Sequence, residues 1–291
     1  MTNPRMTLIA ILFSTAIVAA APQRDTFRVT AEEVRIDALV TENGRPVSRL
    51  EAADFEVFDN GVPQEIRYAA LQKDTPISAT LVFDLSRSVA GELLDSLKEA
   101  ASALLDDFKT EDHAALITFN NAVALGSPPT RDFAGVRRAL DKVKAFGNSA
   151  LIDACYAGLT LAETRPDPPL LIIFSDGRDT FSWLTERAAL ETAKRSHAVV
   201  YTVSTGMLPK KAFLRDVTDL TGGTLFEVES TRNLPEVFVG ILNEFRRRYL
   251  LTYTPQGVPE AGWHELVVRV NRSSARVRAR PGYVRRNSAG N

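Results

Sequence analysis

The chain has 291 residues, 45% hydrophobic and 24% charged, a globular composition long enough for two ordinary domains or one large one. A formal net charge of -1 argues against nucleic acid as a main partner. One cysteine excludes an internal disulfide, and three scattered histidines support no zinc site.

Residues 1–20 read as a secretory signal peptide cut after Ala20. Met1 to Arg5 carries one positive charge, Leu8 to Val18 is apolar, and Val18-Ala19-Ala20 offers the small residues that a signal peptidase accepts. The apolar run falls short of the ~20 residues of a membrane span, no later segment is apolar enough to cross, and no Cys follows to carry a lipid. The expected destination is therefore export: periplasmic, extracellular or cell-surface associated.

From 27 to 70 the pattern alternates. Val34, Ile36, Ala38 and Val40 share one face of a strand, and Asp54 to Phe58 forms another. Asn43-Gly44 and Asp59-Asn60-Gly61 supply tight turns. These strands are too few to close a β-sandwich. Alternation returns near the other end, at Tyr249 to Pro255, Leu266 to Val270 and Ala275 to Arg280. The two flanks, 25–72 and 249–286, are expected to build one small β-sandwich of about six or seven strands. Arg276, Arg278 and Arg280 read as a one-sided basic stripe on its edge.

Between the flanks, 75–247 alternates strand and helix. Buried parallel strands are predicted at Leu81 to Phe83, Ala114 to Phe119, Leu170 to Phe174 and Ala198 to Val203, with a hairpin partner at Ala122 to Leu125. Helical stripes fall on Leu93 to Phe108, Phe133 to Val143, from Ser149 on, and through Leu214-Val217-Leu220 and Val237-Ile241-Phe245. Gly222-Gly223 stops one helix before a strand at Thr224 to Val228. The expected fold class is α/β, a doubly wound and mostly parallel sheet inserted in the sandwich. Cys155 sits at helical spacing from Ile152 and Leu159, as a buried structural thiol does.

The chemistry concentrates where three apolar runs end. Leu81-Val82-Phe83 leads into Asp84-Leu85-Ser86-Arg87-Ser88, and in an extended segment residues i, i+2 and i+4 point the same way. One carboxylate with two hydroxyls is hard-oxygen chemistry, suited to Mg²⁺ or Mn²⁺ and less to Ca²⁺. Ligands on such sheets bind beyond the carboxyl ends of the strands, where Asp84 and Asp176 both lie.

Asp-x-Ser-x-Ser at a strand end resembles the metal-ion-dependent adhesion site of von Willebrand factor type A domains. Phe146 to Ala154 is similar to that family's second loop, with Ser149 where Thr is usual, and Leu171 to Gly177 to its third, with Asp176 at the motif position. The resemblance implies that Ser86, Ser88 and Ser149 hold the ion directly or through water. The resemblance further implies that Asp84 and Asp176 act through bridging waters and that a partner's Asp or Glu carboxylate fills the open position. Loss of the Thr methyl at Ser149 removes what stiffens χ1. Arg87 is expected to point away from the two serines and be solvated, with a rim contact to an incoming carboxylate as the other reading. Arg178 and Asp179 are expected to line the same rim, with a local ion pair as the alternative. Asp54-Phe55-x-Val57, Tyr249-x-Leu251-x-Tyr253-x-Pro255 and Arg280-Pro281-Gly282-Tyr283 further resemble the VWFA-related Acidobacterial domain family, over nearly all of the chain after the leader.

The expected function is a metal-dependent protein-binding or adhesion module, with no enzymatic activity, no nucleic-acid partner and an open oligomeric state. A metal-independent structural subunit of an envelope assembly is the alternative. A Mg²⁺-dependent hydrolase ranks below both, because GxSxG, GxGxxG, a P-loop and a His near the motifs are all missing.

Overall fold

Residues 33–205 and 212–285 are described in the computed structural model. The predicted signal peptide, 1–20, lies outside them. Along the first flank run β1 (Val34–Glu42), β2 (Arg45–Pro46), β3 (Phe55–Asp59), β4 (Val62–Gln64) and β5 (Ile66–Leu71). The central segment follows as β6 (Ser78–Asp84), α1 (Glu92–Asp106), β7 (His113–Phe119), β8 (Val123–Thr130), α2 (Phe133–Asp141) and α3 (Leu151–Ala162). It continues as β9 (Pro169–Phe174), α4 (Glu186–Arg195), β10 (Val199–Thr205), α5 (Ala212–Thr221), β11 (Leu225–Val228) and α6 (Leu234–Phe245). The second flank holds β12 (Tyr249–Tyr253), β13 (Gly262–Val270), β14 (Ala275–Arg278) and β15 (Gly282–Arg285).

The central sheet has the order β11-β10-β9-β6-β7-β8 and is mixed: β8 runs antiparallel to β7, and the other neighbours pair in parallel. Every residue of β6 and β9 is buried, as expected of strands covered on both faces. Period-two alternation splits β6 between two cores. Ala79, Leu81 and Phe83 pack with α1, α2 and α6, whereas Val82 packs with α3 and α5 and with Ala189 and Ala193 of α4. The hairpin partner expected to end at Leu125 runs on to Thr130. Gly222 takes φ +75° after α5, and a β-carbon at Gly223 would strike the Val200 carbonyl, so this glycine pair ends the helix and lets the chain close on β10.

The flanks form two antiparallel sheets, β14-β1-β12-β5 with β2 beside β1, and β15-β13-β3-β4. Each joins strands from both ends of the chain, through β1 with β12 and β3 with β13. Ile36, Ala38, Val40 and Leu251 of one sheet share a core with Phe55, Val57, Leu266 and Tyr283 of the other. Sequence periodicity missed β4, β5 and β15. Pro63 is tolerated in β4 because that strand is a sheet edge, and Ile66 to Leu71, another edge, does not alternate.

The basic stripe needs correction. Arg276 and Arg278 are exposed, but Arg280 is 8% exposed and donates to the carbonyls of Lys194, Ser196 and Gly282. β14 ends at Arg278, so alternation no longer governs Arg280. Burial draws its pKa down to about 10. Arg248, fully buried, likewise joins flank to centre, donating to the carbonyls of Asp37, Gly222 and Arg278 and to the Tyr201 hydroxyl.

Candidate metal centre

Strand order reverses between β9 and β6, since β6 leads on to β7 on one side and β9 to β10 on the other, which makes the space beyond their carboxyl ends a switch point. Asp84 closes β6 there with no exposed surface. Its Oδ1 accepts from Ser86 N at 2.8 Å, and its Oδ2 accepts from the hydroxyls of Ser149 at 3.1 Å and Ser175 at 2.8 Å. Ser86 and Ser88 place their hydroxyl oxygens 3.0 Å apart. The means differ from expectation: Ser86 caps a 3-10 turn, Arg87–Val89, so the two hydroxyls meet through a turn and not through continued extension.

The second loop is pinned by its neighbours. Arg87 N donates to Gly147 O at 3.1 Å, Phe146 N to Leu85 O at 2.8 Å, and Asn148 N to the Asn121 side chain. Gly147 has φ +77°, a left-handed conformation that favours glycine, and a β-carbon there would crowd the Asn121 side chain. Thr180 N and Phe181 N both donate to Ser149 O, at 2.8 and 2.9 Å, and Ser149 N donates to Thr180 Oγ1 at 3.1 Å. Ser149 is thereby held at 4% exposure with its hydroxyl on Asp84. Asp176, half-buried, accepts from Arg178 N at 3.0 Å. Ser86, Ser88, Ser149 and Asp176 line a cleft of about 180 Å³ with Arg87 and Arg178. Asp84 lies beneath it.

Asp179 departs from the rim reading. It caps the start of α3, where Oδ1 accepts from Ile152 N and from the Ser182 hydroxyl. Three residues that the sequence reading passed over matter: Ser175, Thr180 and Asn121. Ser175 meets Asp84 because Phe83 pairs with Phe174 and the next residues leave the adjacent parallel strands together, a register that no sequence pattern announces. Cys155 is buried as expected, which pushes its thiol up to about 12.

Electrostatics set Asp84 apart. Of the buried aspartates among the described residues, Asp37 pairs with Arg35, Asp112 with Arg246 and Asp59 with the His264 imidazole, whereas Asp84 pairs with no arginine, lysine or histidine. Burial raises its pKa, and Asp176 adds repulsion in the same direction, against the hydrogen bonds from Ser86 and Ser175. No cluster of three or more His, Cys, Asp or Glu suited to a metal occurs among the described residues. Any ion here depends on hydroxyls as much as on charge. Two carboxylates and three hydroxyls, around a buried charge that lacks a cation, fit a divalent ion bound by hard oxygens.

Residues 80–178 match the family model described as von Willebrand factor type A domain. A UPF0353 protein of Mycobacterium avium is 23% identical over 67% of this chain and 67% of its own length, and one of Mycolicibacterium gilvum is 24% identical over 64% of each. The matches thus span about two thirds of those curated relatives. Among solved structures, a von Willebrand factor type A protein from Catenulispora acidiphila is 13% identical with a TM-score of 0.54, covering 90% of this chain and 76% of that one. Proximal thread matrix protein 1 of the mussel byssus, solved with a zinc-occupied MIDAS motif, is 16% identical with a TM-score of 0.52, over 63% of this chain and 48% of that one. At these identities the structural likeness shows the fold alone.

Proposed function

We propose, from the match of residues 80–178 to the von Willebrand factor type A domain, that the chain is an exported protein-binding or adhesion module that captures a partner's Asp or Glu carboxylate on a divalent metal ion. One observation carries this reading: Asp84 is a buried aspartate without a cationic side chain, beneath a cleft lined by hydroxyls. Mg²⁺ or Mn²⁺ suits the donors best. Asp84, Ser86, Ser88, Ser149 and Asp176 would hold the ion. When bound, the ion supplies a positive charge that two carboxylates leave only partly neutralised, and so an attraction for an outside anion. The mussel protein's zinc-occupied motif supports a metal at such a site, without fixing which metal suits this one.

In the same reading 75–247 is the inserted domain and the two flanks, 25–72 and 249–286, of which residues 25–32 and 286 lie outside the described residues, make one β-sandwich that carries it. No helix among the described residues is long and apolar enough to cross a membrane. Export rests on the leader-like residues 1–20, and the module turns over no phosphoester, peptide or ester.

A metal-independent structural subunit is the second reading. It is favoured by the hydroxyls of Ser149 and Ser175, which already satisfy Asp84 Oδ2. Thermal unfolding separates the two. An ion that binds only the folded state at a hundredfold over its Kd stabilises it by about 2.7 kcal/mol, so Mg²⁺ or Mn²⁺ should raise the Tm, and Asp84→Asn should remove that rise. A Tm indifferent to millimolar metal and to chelator would decide for the structural subunit.

A further inference from the structure

The loop after Asp176 carries large apolar side chains into solvent. Phe181 is 43% exposed, Trp183 92% and Leu184 36%. Scattered apolar residues are ordinary on a surface, but three within four residues beside a cleft form a patch. Its backbone is tied down at nearly every step. Phe181 N donates to Ser149 O, Trp183 N to Asp153 Oδ2 at 3.0 Å, and Leu184 N to Asp153 Oδ1 at 2.8 Å. The Ser182 hydroxyl accepts from Asp153 N at 3.1 Å. Tyr156, 40% exposed, follows Asp153 by three residues on α3 and so shares its helical face. Phe146, 59% exposed, directly precedes Gly147 of the cleft.

An indole exposed on a tethered backbone costs little ordering entropy when it docks, which suits an anchor residue. The neighbouring rim is cationic: Arg87 and Arg178 are exposed, line the cleft, and pair with no carboxylate among the described residues. We propose that the segment Phe181 to Leu184 is the second contact point of this site. It takes the large apolar side chain of a partner protein segment whose nearby Asp or Glu enters the cleft between Arg87 and Arg178. The proposal rests on the carboxylate-capture reading and adds the partner's chemistry: an acidic residue within a few positions of an aromatic or branched aliphatic one. An anionic membrane surface is the competing occupant of an apolar patch beside a cationic rim; the cleft lined by Ser86, Ser88 and Ser149 hydroxyls favours a single carboxylate instead, and vesicles serve as the control below.

Titration calorimetry on the full chain in millimolar Mg²⁺ tests this with three blocked peptides: Gly-Asp-Gly-Phe-Leu-Gly, the same with Asn for Asp, and the same with Ser-Ser for Phe-Leu. The first should bind, and each control should bind about tenfold or more weakly. Trp183→Ser should weaken the first peptide by a similar factor and leave the Ser-Ser peptide unchanged, so the two losses are not additive. The Tm rise with metal, read separately, should survive in Trp183→Ser. Binding that needs Trp183 but not Mg²⁺ would keep the apolar contact while removing the metal. Equal binding of the first peptide by wild type and Trp183→Ser, or no binding by wild type, overturns the proposal. So does Trp183-dependent binding to phosphatidylserine vesicles without binding to the peptide.

Discussion

Asp59 and Asp84 are both fully buried and both close a strand, yet the molecule treats them in opposite ways. Asp59 ends β3 inside the flank sheets, where its Oδ1 lies 2.8 Å from His264 Nδ1 and its Oδ2 accepts from the hydroxyls of Tyr253 at 2.8 Å and Tyr283 at 2.9 Å. Burial pushes both tyrosine hydroxyls up, so they stay donors to the carboxylate. Asp84 ends β6 under an open cleft and receives one backbone N–H and two serine hydroxyls, with no imidazole or other basic side chain and with the Asp176 carboxylate nearby. One carboxylate is closed off by its own protein. The other lies under a cleft with neutral donors alone, and that contrast is what the proposed metal-binding end rests on.

The largest expected effect follows from the closed network. Asp59→Ala strands the Tyr253, Tyr283 and His264 donors in the core between both flank sheets, and should cost about 3–5 kcal/mol in urea unfolding. A loss under about 1 kcal/mol would mean that water replaces the carboxylate there, and the contrast with Asp84 would fail.

Asp84→Asn should cost much less in the absence of metal, under about 1 kcal/mol. The amide keeps the shape and an acceptor oxygen, and it removes a buried charge with no cationic side chain. The same variant should lose the metal-induced rise in Tm. If Asp84→Asn destabilised the chelated protein as severely as Asp59→Ala, Asp84 would be a structural carboxylate like the other.

The contrast bears on what sequence can reveal. The α/β centre was legible because burial on both faces writes unbroken apolar runs such as Leu170 to Phe174, and the motif residues stand where those runs end. Asp59 was visible only as a turn residue beside Asn60-Gly61. Its partners His264 and Tyr283 lie more than 200 positions away and come together only through the β3–β13 and β13–β15 pairings. Arg280 misled for the same reason, since its carbonyl partners at Lys194 and Ser196 belong to another element. Ser86 and Ser88 were right as a pair and wrong as an extended segment, because the 3-10 turn is fixed by Gly147 O, which no local pattern announces.

Glu163 gives the finest test, as a carboxylate of a third kind, partly exposed yet well satisfied. It follows α3 and accepts from the Ser196 hydroxyl at 2.5 Å and from His197 N at 2.7 Å, with His197 Nδ1 at 3.2 Å. Burial alone would raise its pKa, but hydrogen bonds and charge from His197 and the Ser196 hydroxyl outweigh that and hold it at about 2, below the ordinary 4.5. A carboxylate with a depressed pKa contributes stability that is present above 4.5 and lost as the pH falls towards about 2. The side chain is 39% exposed, so solvent screens the interaction and the contribution at neutral pH should stay under about 1 kcal/mol. Glu163→Gln keeps the shape and an acceptor but removes the titration. Its urea midpoint should fall slightly at neutral pH and converge with that of the wild type in acid. The anchor reaches further than its own turn, because Ser196 also offers its carbonyl to Arg280. A wild-type acid limb that Glu163→Gln leaves unchanged would mean that the Ser196–His197 turn keeps its place without this carboxylate, and that Arg280 alone ties that turn to the flank.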